Sequence, residues 1–320
     1  MYPFLDETQL HRNAAFYTPF DNGIYQVTAG LHKHPTNFGN GIMDNHTFQI
    51  DSLFPQYHNA KLACRTERIT KYVQQHNLSE DIQHQIAQYL ITTLTTEYPH
   101  YFQQHNNTLN CTLTQETIHW YNNSLLTQPT KYLSLLDALA SQVQEDISIL
   151  CKNSHTNWIS YLHLSYPNHW STEEKIGKTF QHAHNPVAGF QKANPHIDNL
   201  INAIIQRGPY VRFAWGITTD TRLNHHPIPP IFIHHQQWPE QPFNPDKPKA
   251  YLRIERQTLH PFPELQSSLF TIRPYLTPLQ TLSKEHKTLL IHAIQSMTPE
   301  QKQYKRLQHS EKLVKWLEKE

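Results

Sequence analysis

The spacing of apolar residues changes near residue 144, and this change limits the fold more than any other feature of the chain. Upstream the spacing is helical: Ser79 is a good N-cap for an amphipathic helix that should end before Pro99. Downstream, apolar residues alternate with polar ones through 145–150 and 157–165, which predicts two strands around a tight turn. A helical first half followed by paired strands favours an α+β fold.

The same spacing rules predict three more strands and several more helices. A helix with a run of isoleucines at 197–205 is followed by Gly208, a good C-terminal stop, and Thr298 opens a capping-box sequence near the chain's end. The remaining strands are predicted at 210–218, 250–258 and 268–275, with a long Pro-rich connection at 225–248. We therefore expect an antiparallel sheet of about five strands, a helical N-terminal layer and C-terminal helices.

Nothing in the sequence forces a division into two domains, so residues 1–320 are predicted to form one globular domain. The first part is rich in turn residues, which predicts an irregular arm with short strands. In order, the parts are an arm at 1–55, a helical part at 56–143 with a polar connector at 103–130, a sheet-rich part at 144–276 and C-terminal helices at 277–320.

Composition excludes several classes of protein. With 38% hydrophobic residues, the 320-residue chain has enough apolar material for a sizeable core. A net charge of +1 provides no field for a nucleic-acid backbone. No apolar run approaches the roughly 20 residues of a membrane helix, and the first residues lack an export signal. We expect a cytoplasmic protein whose partners are small molecules or other proteins.

The motifs that are missing exclude common chemistries. The three cysteines, Cys64, Cys111 and Cys151, lie far apart and form no CxxC pair. A thiolate zinc site, a cysteine-bound iron–sulfur cluster and covalently attached haem are therefore not expected on this chain. The signatures of dinucleotide-binding folds, phosphate-binding loops, serine hydrolases and zincins are also absent.

Histidine is unusually frequent, with 24 residues scattered along the chain. The densest cluster, at 182–187, is predicted to lie in a loop between two helices, where an imidazole can face a cavity. Neutral imidazole is a good iron ligand, but in a chain this rich in histidine a solvent-exposed role is the simpler interpretation. A zinc site needs three or four ligands, and the nearby His169 and His196 make no recognised pattern with this cluster.

A second cluster of functional groups lies on the predicted strand at 250–258. Alternation places Arg253, Glu255 and Gln257 on one face, with Ile254 and Arg256 on the other. Three polar residues on one face are typical of a solvated surface. They are also compatible with a charged network that lines a cavity, since buried charges are tolerated when they are paired.

Several longer strings give the chain a specific resemblance. These strings are VQEDISIL (143–150), PNHWSTEEKIGKTFQHAHNPVAGF (167–190), VRFAWGI (211–217) and YLRIERQTLHPFPELQSSLFTIRPY (251–275). Taken with weaker matches at 18–31 and 97–102, they cover about residues 15–295. They resemble the haem-dependent oxidative N-demethylase family, whose usual strings run VQED, EKiG, HxPV, RxNW, ERQTL and TIRTY.

The resemblance implies a fold and an activity that composition and spacing do not. It implies a PAS-like sheet that holds a non-covalent haem b. The reaction it implies is oxidation of a small secondary amine, such as dimethylamine, by O2, which yields formaldehyde and the demethylated amine. Electrons come from NADPH through a flavin and iron–sulfur reductase on another chain, and folate-binding subunits take up the formaldehyde. This chain is then the haem subunit alone.

The resemblance also assigns roles to residues that match the family strings. The histidine of HxPV is His184, the expected iron ligand, and His182 is its nearest competitor. Glu255 is the candidate to orient the substrate ammonium or relay protons. The remaining assignments are Lys175, Arg212 and Arg253 as partners of the haem propionates and Trp215 as a contact of the macrocycle.

Three positions depart from the family strings. Ala214 replaces the asparagine of RxNW, Pro274 replaces the second threonine of TIRTY, and Ala188 replaces a proline after HxPV. The change at residue 214 removes both a hydrogen-bond donor and an acceptor, so the substrate of this chain is open. A PAS-like haem protein that binds a gas or small ligand without turnover is the alternative, and a haem-free α+β binding domain is a third interpretation.

Overall fold

A computed structural model describes residues 2–12, 17–122, 124–126 and 131–320, and the side chains in these ranges except those of residues 11, 12 and 192–194. Residues 13–16 of the predicted arm, and residues 123 and 127–130 of the predicted connector, lie outside them.

Thirteen strands are present in the described ranges. They are β1 (His32–Lys33), β2 (Thr36–Asn37), β3 (Met43–Asp44), β4 (Val73–Gln75), β5 (Phe102–His105), β6 (Thr108–Cys111), β7 (Glu116–Tyr121), β8 (Ser124–Leu125), β9 (Asp146–Lys152), β10 (Asn157–His163), β11 (Tyr210–Thr218), β12 (Tyr251–Phe262) and β13 (Ser267–Pro278).

Nine α-helices complete the architecture of the described residues, together with short 3-10 turns such as Phe190–His196. They are α1 (Phe54–Arg68), α2 (Glu80–Glu97), α3 (Leu135–Ala140), α4 (Thr172–Lys175), α5 (Phe180–His184), α6 (Ile197–Gln206), α7 (Lys284–Ser296), α8 (Pro299–Tyr304) and α9 (Glu311–Leu317).

The fold is α+β, as predicted, and its main sheet is antiparallel throughout. The strand order is β1-β11-β12-β13-β9-β10-β4. The sheet has seven strands rather than the five expected, because β1 and β4 extend its two edges. These strands are only two and three residues long, too short to produce an alternation that a sequence can reveal.

The predicted helical part contains more strand than expected. Strands β5 to β8 form a separate four-stranded meander within it. Helix α2 begins where expected, since the Ser79 hydroxyl accepts a hydrogen bond from Ile82 N. The buried side of α2 packs with α3, the meander and β9 in the largest apolar cluster of the described residues, through side chains such as Ile86, Leu90 and Leu94.

The C-terminal helices cover the other end of the sheet. Helix α7 packs with β11 and β12 in a second apolar cluster that includes Leu290 and Ile294. The Thr298 capping box is present, but the predicted last helix is split into α8 and α9. Between them Arg306 has a φ of +57°, a left-handed conformation that an α-helix cannot contain.

Several residues of the family strings are structural. On one face of the sheet, the fully buried Arg256 donates to both carboxylate oxygens of the equally buried Asp44, at 2.8 and 2.7 Å. Directly opposite it, Arg273 donates to Asp51 at 2.8 Å. Asp146 accepts from the amides of residues 165 and 166, both at 2.7 Å. These contacts fix the N-terminal arm and the turn before α4 on the sheet.

Gly177 ends the EKIG string in a conformation that favours glycine. Its φ is +71°, and an added Cβ would lie 3.1 Å from the ring carbons of His76. Gly177→Ala should therefore lower the free energy of unfolding by about 1–3 kcal/mol for the left-handed backbone, plus the cost of the close contact. Urea denaturation measures the change.

The matched control is Gly39→Ala. Gly39 has a φ of +79°, but an added Cβ meets nothing within 4 Å. It should lose only the backbone contribution, so Gly177→Ala should be the more destabilising variant. Equal losses in the two variants would show that the neighbouring ring moves aside freely.

Candidate functional site

One face of β11 and β12 brings several predicted site residues together. Residues directly opposite each other on antiparallel strands share a face. Here the opposite pairs are Arg212 with Gln257, Ala214 with Glu255, and Gly216 with Arg253. The sheet therefore places Arg212, Glu255 and Arg253 on one surface. For the two β12 residues, Glu255 and Arg253, the alternation in the sequence predicted this shared face.

A chain of hydrogen bonds links the polar side chains of this face. Arg212 Nη1 donates to Gln257 Oε1 at 2.9 Å, and Gln257 Nε2 donates to Glu255 Oε2 at 3.3 Å. Arg253 Nε donates to Glu255 Oε1 at 3.2 Å. The Arg253 side chain is 1% exposed and that of Glu255 14%. The face is thus a largely buried charged network and not a solvated surface.

Arg253 is held mainly by backbone carbonyls. Its Nη1 donates to Leu223 O at 3.0 Å and its Nη2 to Tyr166 O at 2.7 Å. With its Nε directed at Glu255, this arginine connects the loops around the sheet to the Glu255 carboxylate. The arrangement suits a residue that positions Glu255.

His184 is the last residue of α5, a short helix capped by Thr179, whose hydroxyl accepts from His182 N. The His184 ring packs against Phe180 and Phe190, with ring centroids 4.2 and 5.2 Å apart. Its Nδ1 lies 2.7 Å from Phe180 O. Because a carbonyl only accepts, Nδ1 carries the proton and Nε2 keeps its lone pair.

The Nε2 atom of His184 has no hydrogen-bond partner among the described residues. A histidine with Nδ1 bonded to a carbonyl and Nε2 free has the form that a metal ligand needs. His182, on the same helix, is exposed. The local geometry therefore favours His184 over His182 as the candidate iron ligand.

Besides Arg253, three further cations lie near Glu255. Lys175, Arg212 and Lys305 all experience the charge of this carboxylate. Lys175 Nζ donates to Ala183 O at 2.8 Å, and Lys305 donates to Trp215 O. We refer to Lys175, His184, Arg212, Glu255 and Lys305 as the Glu255 cluster. Positive charge is in excess within it.

The side chains of this cluster have perturbed acid–base properties. Burial lowers the pKa of Lys175 and that of Lys305 to about 8, although Glu255 partly opposes the effect. Burial also lowers the pKa of His184 to about 4, and Lys175 and Arg212 add to this shift. Each side chain nevertheless remains partly exposed. Desolvated titratable groups gathered around a charge partner are candidates for a functional site.

Comparison with known proteins bears directly on this site. A family model described as haem-dependent oxidative N-demethylase, alpha subunit-like, matches residues 40–315. The chain belongs to this family. The description suggests a haem-dependent oxidoreductase function of this kind, and the term alpha subunit implies a multi-subunit enzyme. No curated protein matches the chain.

Within the described residues, no helix combines the length and apolar character needed to cross a membrane.

The residues of the cluster fit the prosthetic group that the family name specifies. Haem requires an axial ligand for iron and partners for two carboxylates. His184 offers a free Nε2, and the excess of positive charge suits carboxylates. In addition, Arg212 Nε is buried without a hydrogen-bond partner. A buried N–H without an acceptor is unfavourable by about 1–3 kcal/mol, so this atom indicates a missing acceptor.

Trp215 lies away from this cluster. It alternates with Ala214 along β11, so its side chain is on the opposite face of the sheet from Glu255. There it packs edge-on against Phe20 and Tyr25, at ring distances of 5.1 and 5.7 Å. This placement gives no support to the predicted contact with a macrocycle. Trp170 is closer to the cluster, with Lys175 Nζ 4.5 Å from its ring centroid.

Two of the three departures from the family strings flank Glu255. Ala214 is directly opposite Glu255 on β11, and Pro274 is directly opposite it on β13. A proline is compatible with this position because β9 pairs with β13 only as far as Ile272, so β12 alone lies alongside residue 274. Neither flanking side chain offers a hydrogen-bond donor to the Glu255 carboxylate.

Lys305 was not anticipated from the sequence. It follows α8 in a polar stretch, and the resemblance ended near residue 295. Only the tertiary structure, in which Lys305 donates to Trp215 O on β11, brings this lysine near Glu255. A lysine at the polar end of a helix is usually exposed, so the sequence around Lys305 does not indicate that its side chain is partly buried.

Proposed function

We propose that this chain is the haem-binding catalytic subunit of a monooxygenase that demethylates a small secondary amine resembling dimethylamine. The main support is the geometry of His184, whose Nδ1 is bonded to Phe180 O and whose Nε2 is free close to the cationic side chains of Lys175 and Arg212. Family membership supports the same activity.

The overall reaction balances with external electrons. The N-methyl amine, O2, two electrons and two protons give the demethylated amine, formaldehyde and water. Haem bound beside the Glu255 cluster would supply the redox chemistry with O2. We propose that this group is haem b, held non-covalently with His184 Nε2 as the protein ligand of its iron.

Lys175 and Arg212 are the proposed partners of the haem carboxylates. Both are cationic side chains of the Glu255 cluster, and Arg212 Nε has no other acceptor. Pairing two carboxylates with these residues cancels most of the positive excess. The buried cations then no longer disfavour a cationic amine near Glu255.

Glu255 is the proposed binding partner of the substrate ammonium and the proposed proton relay. Its two oxygens face Arg253 and Gln257 at 3.2 and 3.3 Å, long distances that leave lone pairs available. The flanking Ala214 and Pro274 do not compete for the carboxylate. A secondary ammonium has two N–H donors, and holding it near the redox centre supplies much of the rate of such a reaction. Arg253 is then a positioning residue for Glu255.

The electron source is proposed to lie on other subunits. The three cysteines are free and buried, and they do not form a cluster. NADPH through a flavin and iron–sulfur reductase is therefore the proposed donor, and a folate-binding subunit is the proposed acceptor of formaldehyde.

The topology of the main sheet supports a PAS-like fold. Its five central strands lie in the order β10-β9-β13-β12-β11, which is 2-1-5-4-3 when these five are numbered along the chain. Helices α4 to α6 lie between the second and the third of them in sequence.

The activity is tested by supplying the haem-loaded chain with a reductase, NADPH and a panel of secondary amines. We expect formaldehyde and oxidised NADPH in a ratio of one to one, dependent on the amine. Glu255→Gln should lower kcat/KM strongly while the haem spectrum is retained. Absence of an amine-dependent product across the panel, with haem bound and reduced, would favour a ligand-binding haem protein without turnover.

Arg212→Gln tests the contact with the haem carboxylates. A hydrogen bond to a charged group contributes about 1.5–3 kcal/mol, so the affinity for haem should fall by roughly 10- to 100-fold. Arg207, exposed just after α6, provides the control. Arg207→Gln should leave the affinity unchanged in a haemin titration. Equal affinities in the two variants would remove Arg212 from the haem site.

A further inference from the structure

A second group of potential metal ligands lies outside the Glu255 cluster. His169 Nε2 is 3.0 Å from Glu240 Oε2, and His225 Nε2 is 3.8 Å from Glu240 Oε1. One ligand atom from each of the three residues lies within 4.8 Å of the other two. Two imidazoles therefore converge on one carboxylate.

Backbone pairing holds the two histidines side by side. His169 N donates to His225 O at 3.1 Å, and His225 N donates to Pro167 O at 2.8 Å. The rings stack with centroids 5.2 Å apart and an interplanar angle of 25°. The pairing joins the turn before α4 to the long connection between β11 and β12, so residues far apart in sequence are fixed together.

Neighbouring residues that are not potential ligands also hold the Glu240 carboxylate in place. Thr218 Oγ1 and Thr219 N both donate to Glu240 Oε1, the latter at 2.8 Å. The His225 side chain is 2% exposed and that of Glu240 12%. Ligands that are buried and supported by neighbouring donors are typical of metal sites.

A fourth potential ligand, the Asp220 carboxylate, lies next to His225. Asp220 Oδ1 is 3.1 Å from His225 Nε2, and the Asp220 carboxylate is itself bonded to Arg222. The group thus has two imidazole nitrogens and two carboxylates. This composition suits zinc and other first-row divalent ions.

The spacing of these atoms is close to that around a tetrahedral ion. Around zinc, with bonds of about 2.0–2.1 Å, neighbouring ligand atoms are about 3.3–3.4 Å apart. His169 Nε2 is 3.0 Å from one oxygen of Glu240 and His225 Nε2 is 3.8 Å from the other, so the two separations lie on either side of this value.

We propose that His169, His225 and Glu240 bind one divalent transition-metal ion, with zinc as the best match and Asp220 as a fourth donor. The ion ties the connection at 218–240 to the turn at 167–170. That turn carries Trp170, whose ring contacts Lys175 of the Glu255 cluster. The site is therefore structural, and it fixes the turn beside the Glu255 cluster without taking part in the redox chemistry.

The test uses tag-free protein treated with a chelator and then titrated with zinc chloride in a calorimeter. We expect one high-affinity site per chain and a rise in melting temperature on zinc addition. Glu240→Gln and His169→Ala should each lower the affinity by more than about 100-fold, beyond the 10- to 100-fold typical of losing an outer-shell partner. Neither variant should gain thermal stability from zinc.

The control is His182→Ala, which removes an exposed histidine and should leave zinc binding intact. Because the chain has 24 histidines, adventitious binding is the main competing explanation. Zinc affinity that is the same in all three variants, or no binding by the folded wild-type protein, would overturn the proposal. Loss of the haem Soret band in His169→Ala, with its retention in His184→Ala, would reassign the group as the haem site.

Discussion

Replacing His184 by alanine is expected to abolish retention of haem during purification. Loss of the proposed bond from His184 to iron should weaken haem affinity by at least about 100-fold, or about 2.7 kcal/mol. The phenylalanines that contact the ring remain, so the fold should persist while the Soret band disappears. Absorption spectra at equal protein concentration, with circular dichroism as a check on folding, measure this result.

His182→Ala is the matched control for this variant. His182 lies two residues earlier on the same helix, but it is exposed. Its removal should leave the Soret band at wild-type intensity. Added imidazole should partly restore the band in His184→Ala, because a free imidazole can enter the space of the missing side chain. A normal Soret band in His184→Ala would show that another residue binds the iron.

The second large effect is expected at the buried pair of Arg256 and Asp44. Both side chains are fully buried, and Arg256 also donates to Thr47 O at 3.1 Å and His46 O at 2.6 Å. Asp44→Asn removes the negative charge and leaves the guanidinium uncompensated. Breaking such a pair is strongly destabilising, so the free energy of unfolding should fall by about 3–5 kcal/mol. Urea denaturation at neutral pH measures the change.

An exposed ion pair provides the comparison. Lys249 and Glu7 are 2.7 Å apart, with side chains 61% and 48% exposed. Lys249→Gln should change the free energy of unfolding by less than about 1 kcal/mol, since water screens this pair. A loss in Asp44→Asn no larger than that in Lys249→Gln would contradict the view that the ERQTL arginine anchors the N-terminal arm.

The sequence was most informative where an element is long and periodic. Strand β11 has the predicted bounds, and β12 and β13 begin within a residue of theirs, because their alternation extends over many residues. Strands β1 and β4 were missed since two or three residues contain no period. The alternation of β12 also gave the face shared by Arg253, Glu255 and Gln257, but only the tertiary structure showed that this face is buried.

Contacts between distant segments were not accessible from the sequence. Lys305 lies near Glu255 because it donates to Trp215 O on β11, and His169 meets His225 and Glu240 through a loop that returns from β11. Such groups depend on tertiary packing and have no fixed spacing along the chain. Conversely, family strings that suggest function can be structural, as the contacts of Asp146, Arg256 and Arg273 demonstrate.

The positions of Ala214 and Pro274 suggest where substrate preference resides. Along the sequence, nothing connects these two differences from the family strings. In the sheet they are the two cross-strand neighbours of Glu255. Ala214→Asn restores a donor beside the carboxylate and should change the ranking of amines in the formaldehyde assay, with little effect on haem affinity. An unchanged ranking would place substrate selection elsewhere.

A haemin titration of the purified chain tests whether the Glu255 cluster forms a haem site. We predict a single Soret band that saturates at one haem per chain and moves on reduction, as for a histidine-bound haem. If the protein is folded and its spectrum with haemin equals the sum of the separate protein and haemin spectra, the Glu255 cluster does not bind haem.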